Sequence, residues 1–328
     1  MRLFEDICYM TQAKVKKYMK DYLTSEQYNV IDEDGFLYAK GTVPVLLVAH
    51  MDTVHKQKCH EIVKKDGKIS SPTGIGGDDR CGVFIIQNIV SNLHCSVLLC
   101  EDEEKGGIGV RKFVKTDYAK NLEVNYIIEF DRRGSNDAVF YSCDNKEFAA
   151  FVLNNTGFKL AFGSFSDISV LAPASKICAV NLSCGYYNPH TVTEYVVYDE
   201  MMNTIKVAEK LIQAECTEPF VYKAKIYDYT AQSKNAYTRP SYDYYDYPPH
   251  SQTTIYSAQT NGKQPKNKTL KEVVESDLFL ELEAIVFDVN GDERVVHGRG
   301  STKYECWFDL FINNGDICFD DIIDYSFA

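Results

Sequence analysis

The stretch VPVLLVAHMDTVH, residues 43–55, joins an apolar run to two polar groups that a core strand does not itself need. Val43 to Ala49 is apolar apart from one proline, which predicts a strand buried on both faces of a sheet. His50 and Asp52 follow, one residue apart. Residues i and i+2 of a strand point to the same face, so this pair directs an imidazole and a carboxylate towards one point.

Strand-like and helix-like runs alternate on both sides of this stretch. The apolar patterns predict strands over residues 36–39, 43–49, 96–100, 124–130 and 177–183, and helices over 1–25, 81–93 and 199–215. This alternation predicts an α/β class, a three-layer α/β/α sandwich around a mixed and mostly parallel central sheet. We place this domain at residues 1–217.

The pattern changes after residue 217. Residues 222–256 hold nine tyrosines among polar residues without a regular period, so we predict a linker over 218–268. Aromatic stacking on a ligand or partner is the alternative interpretation of the Asp-Tyr run at 242–247. Residues 269–328 predict a small acidic α+β domain: a helical start in LKEVVESDLFLELEA (270–284), a hairpin at Asn290-Gly291 and another within WFDLFINNGDICF (307–319). This C-terminal region is a candidate for binding a protein partner or for oligomerisation.

Composition narrows the partners and the compartment. The net charge of −12 over 328 residues argues against general binding to nucleic acid or to anionic membranes. No apolar run reaches the length of a membrane-spanning helix, and the first residues lack the features of a signal peptide. The 11 cysteines include no CxxC pair, which favours reduced, buried thiols in a cytoplasmic protein.

Polar residues follow several predicted strands at their carboxyl ends, where open α/β sheets bind ligands. They are His50 and Asp52 after residues 43–49, the acids 101–104 after 96–100, Asp131 after 124–130, and His190 some way after 177–183; Asp78-Asp79 precedes a helix. Each alone has an ordinary interpretation, a helix cap for Asp78-Asp79 and a solvated acidic surface for 101–104. Together they indicate a metal site, because a divalent cation offsets the repulsion and lost hydration of clustered carboxylates.

The order of these motifs resembles the co-catalytic zinc aminopeptidases, the clan that also contains the tripeptidases and the acylamino-acid deacylases. The matching segments are AHMDTV (49–54), GIGGDDRCG (74–82), EDEEKGGIG (101–109), Asp131 and NPHTVTEYV (188–196). The resemblance covers residues from about 40 to 215 and leaves the last 110 or so outside.

The resemblance implies a site with two zinc ions per chain, although manganese or cobalt suits the same ligands. It assigns Asp78 as the bridging ligand, His50 and Asp131 to one ion, and Glu104 and His190 to the other. Asp52 would orient His50, and Glu103 would be the general base. SFSD, residues 164–167, would line the substrate pocket.

Two spacings distinguish this chain from many relatives that carry a lid or dimerisation domain. His50 and Asp78 are 28 positions apart, and Asp131 and His190 are 59 apart, too few for an inserted domain of roughly 100 residues. We therefore expect the compact single-domain type. Lys105 also stands where an apolar residue is common in the family.

The implied function is hydrolysis of the N-terminal peptide bond of small peptides. Two alternatives remain open: a deacylase or amidase acting on an acylated amino acid with the same residues, and a scaffold protein on a catalytically retired peptidase fold. The presence of Glu103 and of all five implied ligands argues against the scaffold. The remaining histidines are expected to be structural or exposed; they are His55, His60, His94, His250 and His297.

Overall fold

A computed structural model of the chain describes residues 3–225, 280–287, 293–300 and 322–327. Its main sheet has eight strands in the order β1-β2-β6-β3-β7-β10-β8-β9. The strands are β1 Val30–Glu33, β2 Phe36–Ala39, β3 Val43–His50, β6 Cys95–Cys100, β7 Tyr126–Arg132, β8 Asp137–Val139, β9 Lys159–Ala161 and β10 Ala179–Ser183. All five predicted strands are present, shifted by at most two residues at either end.

The four central strands run parallel. Strand β3 pairs with β6 on one side and with β7 on the other, and β7 pairs with β10. Antiparallel neighbours flank them, β2 beside β6 and β8 beside β10. The sheet is therefore mixed and mostly parallel, as predicted, and the carboxyl ends of its central strands meet at one edge.

Helices cover both faces of this sheet. One face packs against α1 Phe4–Cys8, α2 Gln12–Ser25, α3 Gly77–Val90, α6 Lys146–Thr156 and α8 Tyr198–Gln213, and the other against α4 Ile108–Phe113, α5 Asp117–Lys120 and α7 Asp167–Ser175. Successive residues of β3 alternate between the two cores: Val45 and Leu47 enter the first, Leu46 and Val48 the second. Each such fully buried side chain contributes about 1.5–3 kcal/mol to the stability of the fold. Strand β3 lies between β6 and β7, in the middle of the sheet. The three-layer prediction is confirmed.

The predicted first helix, residues 1–25, is wrong in its continuity. Helices α1 and α2 are separate, and Thr11 begins α2 from an extended conformation. The break lets the Phe4 ring of α1 pack edge-on at 5.7 Å from the Phe84 ring of α3. It also brings the carbonyl of Met10 within 3.1 Å of the Arg80 guanidinium, which donates to it. Tertiary packing therefore divides a segment whose local pattern is helical throughout.

A second, four-stranded sheet in the order β11-β12-β5-β4 lies beside the same domain. Its strands are β4 Val63–Lys65, β5 Lys68–Ser70, β11 Tyr186–Tyr187 and β12 Tyr195–Val197. Strand β5 comes from the segment between His50 and Asp78, whereas β11 and β12 flank His190. Their antiparallel pairing ties together two segments far apart in sequence.

The end of the described fold extends past residue 217. Phe220 packs its ring at a tilt against Phe148 and Phe151 at centroid distances of 5.2 Å, and its amide donates to the carbonyl of Asn125. Residues 218–225, which we assigned to the linker, therefore pack on this domain; the rest of the predicted linker lies outside the described residues. The three-part division of the chain remains a proposal.

The C-terminal strands form a separate three-stranded antiparallel sheet in the order β14-β13-β15. They are β13 Leu280–Phe287, β14 Glu293–Gly300 and β15 Ile322–Phe327. The helix expected from residue 270 is wrong over 280–284, where LELEA alternates with the two-residue period of a strand. Strands β13 and β14 pair antiparallel, as expected for a hairpin at Asn290-Gly291. The second predicted hairpin lies outside the described residues.

No helix in the described part of the chain is long and apolar enough to cross a membrane.

Gly82 is where α3 crosses closest to the sheet. A Cβ at this position would lie 2.1 Å from the carbonyl oxygen of Phe130 and 2.4 Å from a carboxylate oxygen of Asp79. We expect Gly82→Ala to destabilise the domain by roughly 3 kcal/mol, because the helix must move off β7. The corresponding fall in Tm is roughly 5–10 °C, measured by thermal unfolding.

Gly67→Ala is the control for this substitution. Gly67 also resists a side chain, since its φ is +76°, but nothing lies within 4 Å of the added atom. It should cost only about 1–2 kcal/mol. Equal losses in the two variants would contradict the close approach of α3 to β7.

Candidate metal centre

The five residues assigned as ligands converge at the carboxyl edge of the main sheet, with Asp78 in the middle. One Asp78 oxygen lies 3.0 Å from Nε2 of His50, and the other lies 3.3 Å from Nε2 of His190. Its carboxylate thus separates two imidazoles that are 140 positions apart in the chain. This is the arrangement that a bridging carboxylate requires.

The other two assigned ligands divide between these imidazoles. Asp131 places a carboxylate oxygen 3.5 Å from Nε2 of His50, and Glu104 places one 3.2 Å from Nε2 of His190. Glu103 lies on the His50 side, with an oxygen 4.0 Å from Nε2. Ligand atoms of Asp78, Glu104 and His190 all lie within 4.8 Å of one another, close enough to hold one ion.

Asp52 joins the end of β3 to the turn that follows β6. It accepts backbone N–H bonds from Glu103 at 3.0 Å and Glu104 at 3.1 Å, and lies 3.2 Å from Nδ1 of His50. Burial by itself would raise the pKa of Asp52, but the His50 hydrogen bond holds that pKa below its usual value. The second polar group of the opening HxD therefore remains a carboxylate that orients three site residues at once.

The two aspartates in the first turn of α3, both with non-helical backbone angles, have different roles. Asp79 accepts a hydrogen bond from the backbone N–H of Gly82 at 2.8 Å, which caps the helix, and another from the N–H of His50 at 3.2 Å. The peptide bond between Asp78 and Asp79 is cis. The helix-cap interpretation therefore fits Asp79, which also lies near His50 and Asp131, whereas Asp78 faces the two imidazoles.

Glu194 supports the loop that carries Asp78. Its buried carboxylate accepts the backbone N–H of Gly76 at 2.8 Å and that of Asp78 at 2.9 Å. Nε2 of His55 lies 2.8 Å from the same carboxylate, and the His55 ring occupies the space above Gly74, where an added Cβ would be 2.2 Å away. The motif NPHTVTEYV contains Glu194 but indicates no role for it, and His55 was expected to be structural or exposed. In the structure both residues support the loop that carries Asp78.

The short turn after β6 presents the two glutamates. Residues Glu103–Lys105 form one turn of 3₁₀ helix. The backbone N–H groups of Gly106 and Gly107 close it by donating hydrogen bonds to the carbonyl of Glu103. Both glycines have positive φ, +88° and +67°, which other residues adopt only with strain. The turn buries Glu103 and directs Glu104 towards His190.

The electrostatics of the cluster call for a cation. Burial raises the pKa of Glu103 well above its usual value, and the charge of Asp131 adds to that effect. Burial also raises the pKa of Asp131, to about 7, with a further contribution from Asp78. The pKa of Asp78 is lowered in spite of its burial, because His190 and His50 both bond to it. Four carboxylates thus face two imidazoles, and none of these six side chains is more than 18% exposed.

One polar atom in the cluster tests directly whether a metal fits. Oε1 of Glu104 is buried and has no hydrogen-bond partner among the described residues. Buried carboxylate oxygens without partners are rare, because desolvating them is costly. The donors are oxygens and imidazole nitrogens without thiolate, the set that hydrolytic zinc sites use. The residues present therefore fit divalent cations.

A second layer of acids, Glu129 and Asp167, lies beside this cluster; Asp167 belongs to the predicted SFSD segment, whereas Glu129 was not predicted. Glu129 precedes Asp131 by two positions in β7, so it shares its face, and its carboxylate accepts a hydrogen bond from Ser166. Asp167 is fully buried, neither of its oxygens has a partner among the described residues, and burial raises its pKa to about 6. Of SFSD, Ser166 and Asp167 lie in this layer, whereas Phe165 is exposed. A lone charge within the apolar YIIEF was the available signal for Glu129.

His55 offers a test of the support behind Asp78. We expect His55→Ala to weaken metal binding roughly tenfold, because Glu194 loses a partner and the loop over Gly74 loses its packing. Competition with a chromogenic chelator measures the affinity. His60→Ala is the matched control, since His60 is exposed and its Nδ1 lies 3.3 Å from the carbonyl oxygen of Lys58. Equal affinities in the two variants would show that His55 does not position the loop.

Comparison with known proteins supports the fold. The chain matches no protein-family model and no curated protein. Among solved structures it is similar to a tripeptidase from Staphylococcus aureus, with a TM-score of 0.54, 14% identity, and coverage of 64% of this chain and 96% of that one. Aminopeptidase PepT from Bacillus cereus has a TM-score of 0.53 and 15% identity, with coverage of 64% of this chain and 96% of that one. Aminopeptidase APDkam598 from Desulfurococcus kamchatkensis has a TM-score of 0.50 and 14% identity, with coverage of 65% of this chain and 94% of that one. The domain therefore has the fold of these aminopeptidases, as the motif order predicted.

Proposed function

We propose that the chain is a two-metal exopeptidase that removes the N-terminal residue of small peptides. The observation that carries this proposal is the position of Asp78, whose two oxygens lie 3.0 Å and 3.3 Å from two different imidazoles. A carboxylate so placed can serve two ions at once. The aminopeptidase fold provides the context, since catalytic sites of open α/β sheets lie at this edge.

The chain supplies three ligands for each of two ions. His50, Asp131 and one oxygen of Asp78 would hold the first; His190, Glu104 and the other oxygen of Asp78 would hold the second. Two divalent cations, zinc in the first instance, would supply Lewis acidity, polarising a peptide carbonyl and making water a stronger acid. Asp52 and Glu194 would keep His50 and Asp78 in place, as outer carboxylates do in metal enzymes.

Glu103 is our candidate for the general base. It is 9% exposed, with an oxygen 4.0 Å from Nε2 of His50, and its backbone N–H is held by Asp52. Hydrolysis needs a group that takes a proton from water and gives it to the leaving amine. Glu104 lies beside His190 as a metal ligand, which leaves the adjacent Glu103 to act as the base.

The site carboxylates favour a free N-terminal amine over an acylated one. Such an amine is positively charged at neutral pH and can pair with a carboxylate of the site that no metal ion neutralises. An N-acylated amino acid brings no positive charge to this end of the site. A deacylase using the same residues remains the second candidate, because the hydrolytic groups would be identical.

Metal analysis combined with substrate hydrolysis tests the proposal. The purified full chain should hold about two metal ions and cleave aminoacyl amides, but not the matching N-acetyl-aminoacyl amides. Two ions with cleavage of only the acetylated set would favour the deacylase. No bound metal and no turnover after addition of zinc, manganese or cobalt would leave the fold without this function and favour the scaffold.

A further inference from the structure

Two cysteines away from the metal centre face each other. Sγ of Cys143 and Sγ of Cys178 are 3.5 Å apart. Cys143 lies between β8 and α6, in a turn closed by a hydrogen bond from its backbone N–H to the carbonyl of Phe140. Cys178 directly precedes β10. The chain segment at Val221 runs beside them, and its carbonyl oxygen lies 3.3 Å from Sγ of Cys178.

Cys143 differs from most other cysteines of the described residues in access and in acidity. Cys143 is half-buried, whereas Cys178 and six others are buried: Cys8, Cys59, Cys81, Cys95, Cys100 and Cys184. The hydrogen bond with Cys143, together with burial, raises the pKa of Cys178, so Cys143 is the first of the two thiols to ionise. The hydrogen bond from Cys178 lowers the pKa of Cys143 to about 6, which favours its thiolate at neutral pH. Cys216 is also half-buried, but burial raises the pKa of its thiol.

We propose that Cys143 and Cys178 are a redox modification site that forms a reversible disulfide with glutathione disulfide or a similar low-molecular-weight disulfide. The thiolate of Cys143 attacks one sulfur of the oxidant and releases one glutathione thiolate. Cys178 loses its proton and attacks the mixed disulfide at Cys143, which releases the second glutathione thiolate. Two protein thiols are oxidised, one disulfide is reduced to two thiols, and the protons pass to the glutathione.

The geometry permits the bond with a small movement. A disulfide needs its sulfurs about 2.05 Å apart, so the two must approach by roughly 1.5 Å. Cys143 belongs to a turn, outside the sheet and helix ladders, with Ala224 as its bridge partner. Such a turn can shift more easily than Cys178, which is fixed by the adjoining strand β10. The movement therefore falls on the Cys143 side.

The bond would close a loop of 36 residues that carries part of the site. Between the two cysteines lie α6, β9, the exposed Phe162 and Phe165, and α7, which begins at Asp167. The disulfide would staple both ends of this excursion to the edge of the main sheet. Because a cross-link restricts the unfolded chain, Tm should rise by roughly 5–10 °C on oxidation. This proposal does not depend on the metal centre or its activity.

The test uses the full chain, reduced, then incubated with glutathione disulfide and alkylated. Non-reducing peptide mapping by mass spectrometry should find Cys143 linked to Cys178, and dithiothreitol should reverse the link. Cys216→Ser is the control and should form the same link. Cys178→Ser should instead accumulate glutathione on Cys143; Cys143→Ser, at a half-buried position, gives a second variant that should form no link and show no rise in Tm.

Three results would overturn the proposal. One is a map in which both thiols remain free at a glutathione redox poise that oxidises exposed dithiols. Another is a stable glutathione adduct on Cys143 in the unaltered chain, with Cys178 free. A third is a cross-linked chain whose Tm equals that of the reduced chain, which would contradict the stapling.

Discussion

Replacing Glu103 with glutamine is expected to lower kcat by about a thousandfold while leaving the metal content unchanged. Glutamine keeps the size of the side chain and the backbone N–H bond to Asp52, but it cannot take a proton from water. General-base catalysis typically contributes factors of roughly 10²–10⁴. Steady-state kinetics on an aminoacyl amide, together with elemental analysis of the same preparation, measures both quantities.

Glu101→Gln is the matched control for this variant. Glu101 belongs to the same acidic stretch, but its carboxylate pairs with Lys16 at 2.6 Å, away from the imidazoles. Its loss removes a peripheral ion pair and should change kcat less than twofold. Substantial turnover by Glu103→Gln would remove Glu103 from the role of base and direct attention to the acids beside the cluster, Glu129 and Asp167.

Replacing Asp78 with asparagine is expected to weaken binding of both ions by more than a hundredfold. An outer-shell partner of a metal ligand is typically worth 10- to 100-fold in affinity, so a shared ligand should be worth more. Asparagine preserves the shape of the side chain but removes the charge that each ion would contact. Isothermal titration of the metal-free protein with zinc should show the loss of two sites together.

Asp137→Asn serves as the control, because Asp137 pairs with Arg132 at 3.3 Å. It should bind zinc as the unaltered chain does. If Asp78→Asn lost one ion and kept the other tightly bound, the bridging assignment would be wrong and Asp78 would belong to a single ion. Retention of both ions would remove Asp78 from the site.

The main strands and helices were predictable because the spacing of apolar residues along each segment indicates its secondary structure. The apolar run 43–49 forms β3 at the centre of the sheet, and the polar residues after it lie where parallel strands end. The parallel sheet brings His50, Asp131 and the turn with Glu104 to one edge, because its strand ends meet there. The positions of Asp78 and His190 were implied only by the resemblance to the co-catalytic zinc aminopeptidases, since neither residue ends a strand of the main sheet.

The supporting interactions were not predictable in the same way. The bond between His55 and Glu194 spans 139 positions, and no local period indicates which histidine a buried glutamate will contact. The break between α1 and α2 similarly depends on Phe84, far along the chain. For residues 280–284, a short acidic and apolar run fits both periods, and pairing with β14 and β15 decided for the strand.

The small sheet has a consequence for how the site opens. Strand β12 pairs with β5, so the segments that lead to Asp78 and away from His190 are held by the same backbone ladder. Fluctuations that break this ladder release the two halves of the site in a single event rather than one after the other. Amide hydrogens of Ile69 and Val196, partners in that ladder, should therefore exchange at matched rates, and bound zinc should slow both equally. The release of metal and the exchange of these amides would then be limited by the same opening rate.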